Sequence, residues 1–264
     1  MQKLLTIGAG RMAQAVISGI LQQEQDRFHI VMSNRGNVAR LEQVKNKYGV
    51  EITTNWKDHV TNADILFLAV PPSQQQSLLH EMSPYLTNQL VFSVAAGVGV
   101  RELEAPLPEG AAVAWVMPNT AAEIGQSMTL YALGQHVNEI QEKTLLTILK
   151  GIGPAQRVTE EQLHALTPVT GSAPAFMYYV AEVLTRLARG KGVDEAVAQQ
   201  LVSQMILGSA RMLSSGQKPK DLIDQVATPG GSTAAGLKVL QTEDLDGMFE
   251  RAVQACVEKN KEVY

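Results

Sequence analysis

Close to the start of the chain, two glycines lie between a predicted strand and a predicted helix. Residues 3–7 are typical of a buried strand, and residues 12–22 place their apolar side chains at helical spacing. The turn between them reads Gly8-Ala9-Gly10-Arg11-Met12-Ala13, which is a G-x-G-x-x-A pattern. A strand, a glycine turn and a helix in this order predict the opening unit of a parallel sheet with a phosphate-binding turn.

Strand-like and helix-like segments alternate up to about residue 160, where the strand signals cease. Strands are predicted at 3–7, 29–33, 64–70, 90–94, 111–116 and 128–132, with helices at 12–22, 38–47, 74–82 and 138–149. This alternation predicts a Rossmann-type doubly wound parallel sheet (an α/β fold) with helices on both faces, over residues 1–160. Residues 161–264 are predicted to form an all-α C-terminal domain, with helices at 174–189, 194–215, 219–227, 234–241 and 245–263. Ser172 is expected to cap the first of these helices, and Pro174 lies in its first turn.

Composition narrows the classes of partner and site. The 264 residues carry a formal net charge of −4, which argues against nucleic acid as the main partner. No apolar stretch approaches the ~20 residues of a membrane helix, so no membrane partner is expected. Cys256 is the single cysteine, which excludes an intrachain disulfide and a multi-thiolate metal site. We therefore expect no metal, and a reducing, cytoplasmic location.

The glycine turn and the end of the second strand point to a dinucleotide cofactor. Gly8 permits the tight turn, Gly10 lets a pyrophosphate approach the backbone, and Ala13 allows close packing of helix on sheet. An NAD-binding strand would end in an acid about 20 residues further on, whereas this one ends in Ser33-Asn34-Arg35. These side chains can bind a 2′-phosphate, which favours NADPH over NADH, unless Arg35 is only a solvated loop charge.

Further cofactor contacts are expected after the next two strands, because ligands bind at the carboxyl edge of an open parallel sheet. The segment after strand 64–70 is Pro71-Pro72, and the segment after strand 90–94 is Ala95-Ala96-Gly97, which could also be a plain turn.

Gly230-Gly231-Ser232-Thr233 directly precedes the predicted helix 234–241. The backbone N–H groups of this segment are expected to form an anion site at the helix end, and the glycines let a small substrate lie against the backbone. The alternative is that Ser232 and Thr233 only cap the helix.

Several motifs together match one family, and they span residues 6–240. They are Gly8–Ala13, Ser33-Asn34-Arg35, Asn55, Ala69-Val70-Pro71-Pro72, Ala95-Ala96-Gly97, Met117-Pro118-Asn119-Thr120, Gly171-Ser172-Ala173-Pro174-Ala175-Phe176 and Thr228-Pro229-Gly230-Gly231-Ser232-Thr233. The chain resembles the pyrroline-5-carboxylate reductases, which catalyse the last step of proline biosynthesis. The resemblance implies an NAD(P)H-dependent oxidoreductase that reduces the C=N bond of 1-pyrroline-5-carboxylate to give L-proline.

The resemblance also assigns roles to residues. It implies substrate binding by Gly230, Gly231, Ser232 and Thr233, with Thr233 as the catalytic residue. A threonine hydroxyl is a poor acid, so we expect it to orient the ring nitrogen or to relay a proton from water. The cofactor-binding residues are then Gly8, Ala9, Gly10, Arg11, Met12, Ser33, Asn34, Arg35, Asn55, Ala69, Val70, Pro71, Pro72, Ala95, Ala96, Gly97 and Asn119. Asn55 is equally compatible with a helix cap, and Asn119 with a turn.

The sequence departs from the family pattern at five positions. Pro71 stands where the family usually has Lys, Trp115 where it has Arg, Ala121 where it has Pro, Thr170 where it has Ser, and Ala173 where it has Gly. The first two departures remove positive charges near the cofactor or the active cleft. They leave two alternatives open, a reductase of another cyclic imine and a non-catalytic cofactor-binding paralogue. A β-hydroxyacid dehydrogenase is disfavoured, because helix 174–189 lacks the lysine that such enzymes use.

The C-terminal helices carry wide apolar stripes, which about 100 residues of helix can bury only in part. Members of the family pair through this domain. The resemblance therefore implies an all-α dimerisation domain and a homodimer or higher homo-oligomer.

Overall fold

The computed structural model describes residues 1–24 and 26–262. Its strands are β1 Gln2–Ile7, β2 Phe28–Ser33, β3 Glu51–Thr53, β4 Ile65–Leu68, β5 Leu90–Ser93, β6 Ala112–Met117, β7 Thr129–Leu133 and β8 Ala155–Arg157. Its helices are α1 Arg11–Gln23, α2 Val38–Tyr48, α3 Lys57–Val60, α4 Pro72–Met82, α5 Val100–Glu104, α6 Glu139–Lys150, α7 Glu160–Thr167, α8 Ala173–Arg189, α9 Glu195–Ser214, α10 Pro219–Val226, α11 Ser232–Thr242 and α12 Leu245–Glu262. The end of the predicted helix 245–263 lies outside the described residues.

The chain divides into two compact units, residues 1–171 with 257–264, and residues 172–256. The first unit contains one eight-stranded sheet in the order β3-β2-β1-β4-β5-β6-β7-β8. Successive residues of a strand point to opposite faces, and the core accordingly falls into two clusters. Leu4 and Phe67 pack with α1 and α6 on one face, while Leu5 and Leu66 pack with α4 and α5 on the other. The predicted doubly wound α/β sheet is confirmed.

Two strands, β7 and β8, run opposite to the other six, so the prediction of a wholly parallel sheet is wrong for this edge. β7 pairs antiparallel with β6, with Trp115 opposite Ala132. A parallel return needs a crossover of about a dozen or more residues, usually a helix. The link here holds only a short 3-10 turn, Thr120–Ile124, so the chain folds straight back along β6.

The second unit is entirely helical in the part of the chain that the structure describes. The predicted cap of its first long helix is wrong, because Ser172 has helical backbone angles and no capping side-chain bond. The π-helical segment Pro168–Ser172 leads directly into α8, so the backbone groups at the start of α8 already belong to a continuous helical path. Only Ala198 and Val202 are buried apolar residues of this unit. Its apolar stripes are therefore open, with Met177, Leu187, Val197, Leu201 and Met205 each more than two-fifths exposed.

Candidate functional site

A cleft of about 750 Å³ opens at the carboxyl ends of β2, β1, β4 and β5. This is the edge where the sequence predicted cofactor binding. The predicted residues that line it are Gly8, Ala9, Gly10, Arg11, Met12, Ser33, Asn34, Arg35, Ala69, Val70, Pro71, Pro72, Ala95 and Ala96. The fold therefore brings together in one cleft residues from four separate strand ends.

The glycine turn forms the floor of this cleft. Gly8 has φ +111, and a Cβ at this position would collide with the carbonyl group of Ala69 in the loop after β4. Gly10 is the N-cap of α1, and neither a side chain nor a neighbouring backbone group fills the space where its Cβ would stand. The start of α1 thus presents backbone N–H groups and the positive end of the helix dipole to an open cleft. This arrangement fits a dinucleotide pyrophosphate.

The end of β2 is the positively charged part of the cleft. Arg35 lines it together with Arg40 from the first turn of α2. Neither guanidinium forms an ion pair with any described residue, and the described lining contains no Asp or Glu. Asn34 uses its side-chain oxygen to accept bonds from the backbone N–H groups of Gly36 and Asn37, both at 3.1 Å. The side chain of Asn34 therefore fixes the loop that presents the arginines.

Three predicted cofactor residues do not line the cleft: Asn55, Gly97 and Asn119. The side chain of Asn55 accepts a bond from the backbone N–H of Lys57 and donates one to Asp58 at 2.9 Å. The side chain of Asn119 accepts a bond from the backbone N–H of Ala121 at 3.0 Å, so it caps the 3-10 turn that follows β6. The amide nitrogen of Asn119 also donates to the carbonyl oxygen of Thr170 at 2.9 Å. Both side chains thus have structural bonds, and their contact with a cofactor stays a prediction.

Sequence reasoning missed two prominent residues of the cleft, Arg40 and Trp56. Arg40 lies five positions after the predicted Arg35 and on a different element, so the motif does not include it. Trp56 follows Asn55 directly and is 3% exposed, with its ring edge-on to Tyr85 at 6.0 Å. The rarity of tryptophan in this chain, two residues in all, was the available signal.

Trp115 stands behind the wall of the cleft rather than in it. It is 1% exposed, and its indole N–H donates to the carbonyl oxygen of Ala95 at 2.9 Å. The position therefore adjoins the cleft without lining it, and the tryptophan contacts the wall from the core side. Pro71 does line the cleft, and α4 begins at the next residue.

The segment Gly230–Thr233 lies in the helical unit and begins α11 earlier than the sequence predicted. Gly230 has φ +77, and Gly231 is the N-cap, with no capping side-chain bond. Ser232 and Thr233 are exposed in the first turn of the helix, and neither hydroxyl bonds to a described residue. The alternative that these two residues serve only as caps is thus not what the structure shows. Two hydroxyls and a helix N-terminus remain free for an anion.

No group of three or more His, Cys, Asp or Glu side chains within residues 1–24 and 26–262 is arranged to hold a metal ion. No helix in the same ranges is both long and apolar enough to cross a membrane.

Both the sheet-containing part and the helical part of the chain match models of known protein families. Residues 160–263 match the family model described as pyrroline-5-carboxylate reductase dimerisation, and residues 3–97 match the one described as NADP oxidoreductase, coenzyme F420-dependent. Pyrroline-5-carboxylate reductase 2 of Bacillus subtilis is 35% identical over 261 residues, which are 98% of this chain and 92% of the relative.

Two solved structures extend the comparison to the fold. A pyrroline-5-carboxylate reductase from Coxiella burnetii has a TM-score of 0.91 at 31% identity and covers 98% of this chain and 97% of its own. The pyrroline carboxylate reductase of Plasmodium falciparum, solved with NADP bound, has a TM-score of 0.87 at 26% identity and covers 99% of this chain and 97% of its own.

A Rossmann sheet with a glycine-turn cleft, followed by a helical dimerisation region, defines an NAD(P)-dependent oxidoreductase. The family matches cover both regions, and the relative from Bacillus subtilis extends over almost the whole chain. The chain belongs to the pyrroline-5-carboxylate reductase family, and the predicted resemblance is confirmed.

Proposed function

We propose that this chain reduces 1-pyrroline-5-carboxylate to L-proline and prefers NADPH to NADH as the reductant. The observation that carries the substrate half of the proposal is the free start of α11, where two hydroxyls and the helix N-terminus have no partner among the described residues. A small imino acid with one carboxylate matches such an anion site.

The proposed preference for NADPH rests on the charge of the cleft. Arg35 and Arg40 are two uncompensated guanidinium groups at the end of β2, and no carboxylate competes for them in the described lining. Guanidinium groups bind phosphate in a bidentate manner, whereas the ribose hydroxyl of NADH would find no acid to accept its bond. These features favour binding of NADPH, which carries a 2′-phosphate, over binding of NADH.

Each part of the chain then has a distinct task. Residues 1–160 hold the dinucleotide, with Gly8–Met12 at the pyrophosphate, Ser33–Arg35 at the 2′-phosphate and the segments 69–72 and 95–97 along the rest of the molecule. The bound nicotinamide supplies the hydride. Residues 161–264 hold the substrate and contain the dimer contact.

Thr233 is the residue that we assign to the reacting group. The backbone N–H groups of Ser232 and Thr233 hold the carboxylate, because the N–H of Gly231 already donates to the carbonyl oxygen of Thr228 at 2.9 Å. The Thr233 hydroxyl bonds to the ring nitrogen. Because a threonine hydroxyl is a weak acid, Thr233 orients this nitrogen or passes on a proton that comes from water.

We further propose that the chain forms homodimers, or larger homo-oligomers, through its helical region and works in the cytoplasm. The exposed apolar side chains of α8 and α9 support the first point, because a monomer would leave them in water. Sedimentation equilibrium at micromolar concentration should show a dimer or a larger assembly, and a sample of monomers alone would contradict it.

The test of the reaction is the loss of nicotinamide absorbance with 1-pyrroline-5-carboxylate, run with NADPH and with NADH. Fast oxidation of NADPH and slower oxidation of NADH would support the proposal. If NADPH binds but only another cyclic imine is reduced, the substrate assignment is wrong. If NADPH binds and no imine is reduced, the chain is a non-catalytic paralogue.

A further inference from the structure

The backbone of Ala95 is held at both its N–H and its carbonyl oxygen by side chains of two neighbouring strands, β5 and β6. Its N–H donates to the hydroxyl oxygen of Ser93 at 3.1 Å, and its carbonyl oxygen accepts from the indole N–H of Trp115 at 2.9 Å. Ser93 is fully buried, and Ala95 and Trp115 are buried almost completely. Buried hydrogen bonds of this kind are costly to leave unmade, so the pair fixes this stretch of the cleft wall.

The sheet explains why these two side chains reach the backbone of the same residue. Ser93 ends β5 and is paired with Trp115 of β6 in parallel register, which places both side chains on the same face of the sheet. His164 of α7 packs over the indole ring, with the ring centroids 4.5 Å apart. The indole N–H is directed at the Ala95 carbonyl oxygen, and its 2.9 Å hydrogen bond to that oxygen holds this orientation.

The order of the strands indicates which end of the cofactor this wall would meet. The cleft is built in sequence from the ends of β2, β1, β4 and β5, which are adjacent in that order in the sheet. Arg35 stands at the β2 end and the glycine turn at β1. A dinucleotide with its 2′-phosphate at β2 and its pyrophosphate at β1 extends its other half towards β5, where Ala95 lies.

We propose that Trp115 is a positioning residue for the nicotinamide half of the cofactor and acts through the Ala95 carbonyl without touching the cofactor. The inference rests on the proposed binding of NADPH in this cleft. The indole keeps one N–H donor at a position where the family usually carries an arginine. The positive charge of that arginine is thus replaced by a neutral indole that holds the cleft wall in position.

The test separates the two halves of the cofactor. Trp115→Phe retains an aromatic ring but removes the donor. Calorimetry should show NADP⁺ binding weakened by about tenfold, while adenosine 2′,5′-bisphosphate, which lacks the nicotinamide half, binds as it does to the wild type. Steady-state kinetics should show a matching rise in KM for NADPH or a fall in kcat.

Two further variants serve as controls for packing and folding. His164→Ala removes the ring over Trp115 but keeps the indole N–H bond, so NADP⁺ affinity should change less than twofold. Ser93→Ala removes the bond to the N–H of Ala95 and leaves Trp115 unchanged, and it should reproduce the selective loss of NADP⁺ affinity. This second route covers the case in which Trp115→Phe does not fold.

The outcomes that overturn the inference are distinct from failure of the proposed function. Equal weakening of both ligands, no weakening of either, or an effect of His164→Ala as large as that of Trp115→Phe would overturn the positioning role. Wild-type protein that binds neither ligand would overturn the cofactor proposal itself, and this inference with it.

Discussion

The guanidinium of Arg11 pairs with the carboxylate of Glu123, with the closest nitrogen and oxygen 2.8 Å apart. Arg11 begins α1 within the glycine turn, and Glu123 lies in the 3-10 turn after β6. The side chains are 82% and 45% exposed, so the pair contributes little to stability. The main effect of the pair is on the charge of the cleft, which three arginines line. Arg11, beside the predicted pyrophosphate position, is neutralised by Glu123, whereas Arg35 and Arg40 near the end of β2 are not neutralised.

Glu123→Gln should therefore strengthen dinucleotide binding. The released positive charge lies near the phosphates, and we expect NADPH to bind roughly two- to fivefold more tightly at low salt, with the gain lost near 0.5 M salt because exposed charges are screened. The thermal midpoint should not change. Glu139→Gln makes the same change of charge at an exposed position outside the cleft and should leave affinity unaltered. A gain that persists at high salt would contradict the electrostatic explanation.

Arg35→Glu should reverse the cofactor preference. It removes a phosphate-binding guanidinium and introduces a carboxylate that can accept a bond from the NADH ribose. KM for NADPH should rise by about a hundredfold, while KM for NADH stays within a few-fold of wild type. Arg40→Gln should act in the same direction but more weakly, because it removes one positive charge and adds no repulsion. An unchanged ratio of the two KM values would show that Arg35 is only a solvated surface charge.

Gly8→Ala and Gly10→Ala should separate folding from binding within one turn. At Gly8 the positive φ costs an alanine about 1–2 kcal/mol, and its Cβ would also collide with the Ala69 carbonyl, so the thermal midpoint should fall by several degrees or the protein should not fold. At Gly10 the Cβ would stand in open space, so stability should be retained while the added methyl group blocks the pyrophosphate. Thermal unfolding and NADP⁺ calorimetry measure the two effects. Equal loss of stability in both variants would contradict this distinction.

The glycine turn and the end of β2 could be predicted because their chemistry is local. Gly8 is required by its own backbone angle, and the segment Ser33-Asn34-Arg35 follows its strand directly. Trp56 and Arg40 could not be predicted in the same way. Trp56 reaches the cleft because it follows β3, and β3 pairs with β2. Arg40 reaches the cleft because α2 follows β2. Which elements become neighbours is decided by the tertiary structure.

The asparagines show a second limit of sequence reasoning. A residue that can cap a turn can equally bind a ligand, and the pattern around Asn55 and Asn119 favours neither interpretation. In the structure the side chain of Asn55 bonds only within its own turn, whereas that of Asn119 caps its turn and also donates to the carbonyl oxygen of Thr170. The direction of β7 and the helical state of Ser172 were mispredicted for a related reason. Strand direction depends on the path of the link, and a helix start depends on the segment that precedes it.

Thr233→Ala should separate turnover from cofactor binding. The hydroxyl is exposed in the first turn of α11 and bonds to no described residue, so its removal leaves no buried group unpaired and should not change the thermal midpoint. If it holds the ring nitrogen of the substrate, kcat should fall roughly ten- to hundredfold while NADPH affinity stays within twofold of wild type. Thr233→Ser restores a hydroxyl and should recover most of the rate, whereas Ser232→Ala should mainly raise KM for the imine. Parallel loss of NADPH binding and turnover in Thr233→Ala would mean that the residue shapes the protein and does not act on the substrate.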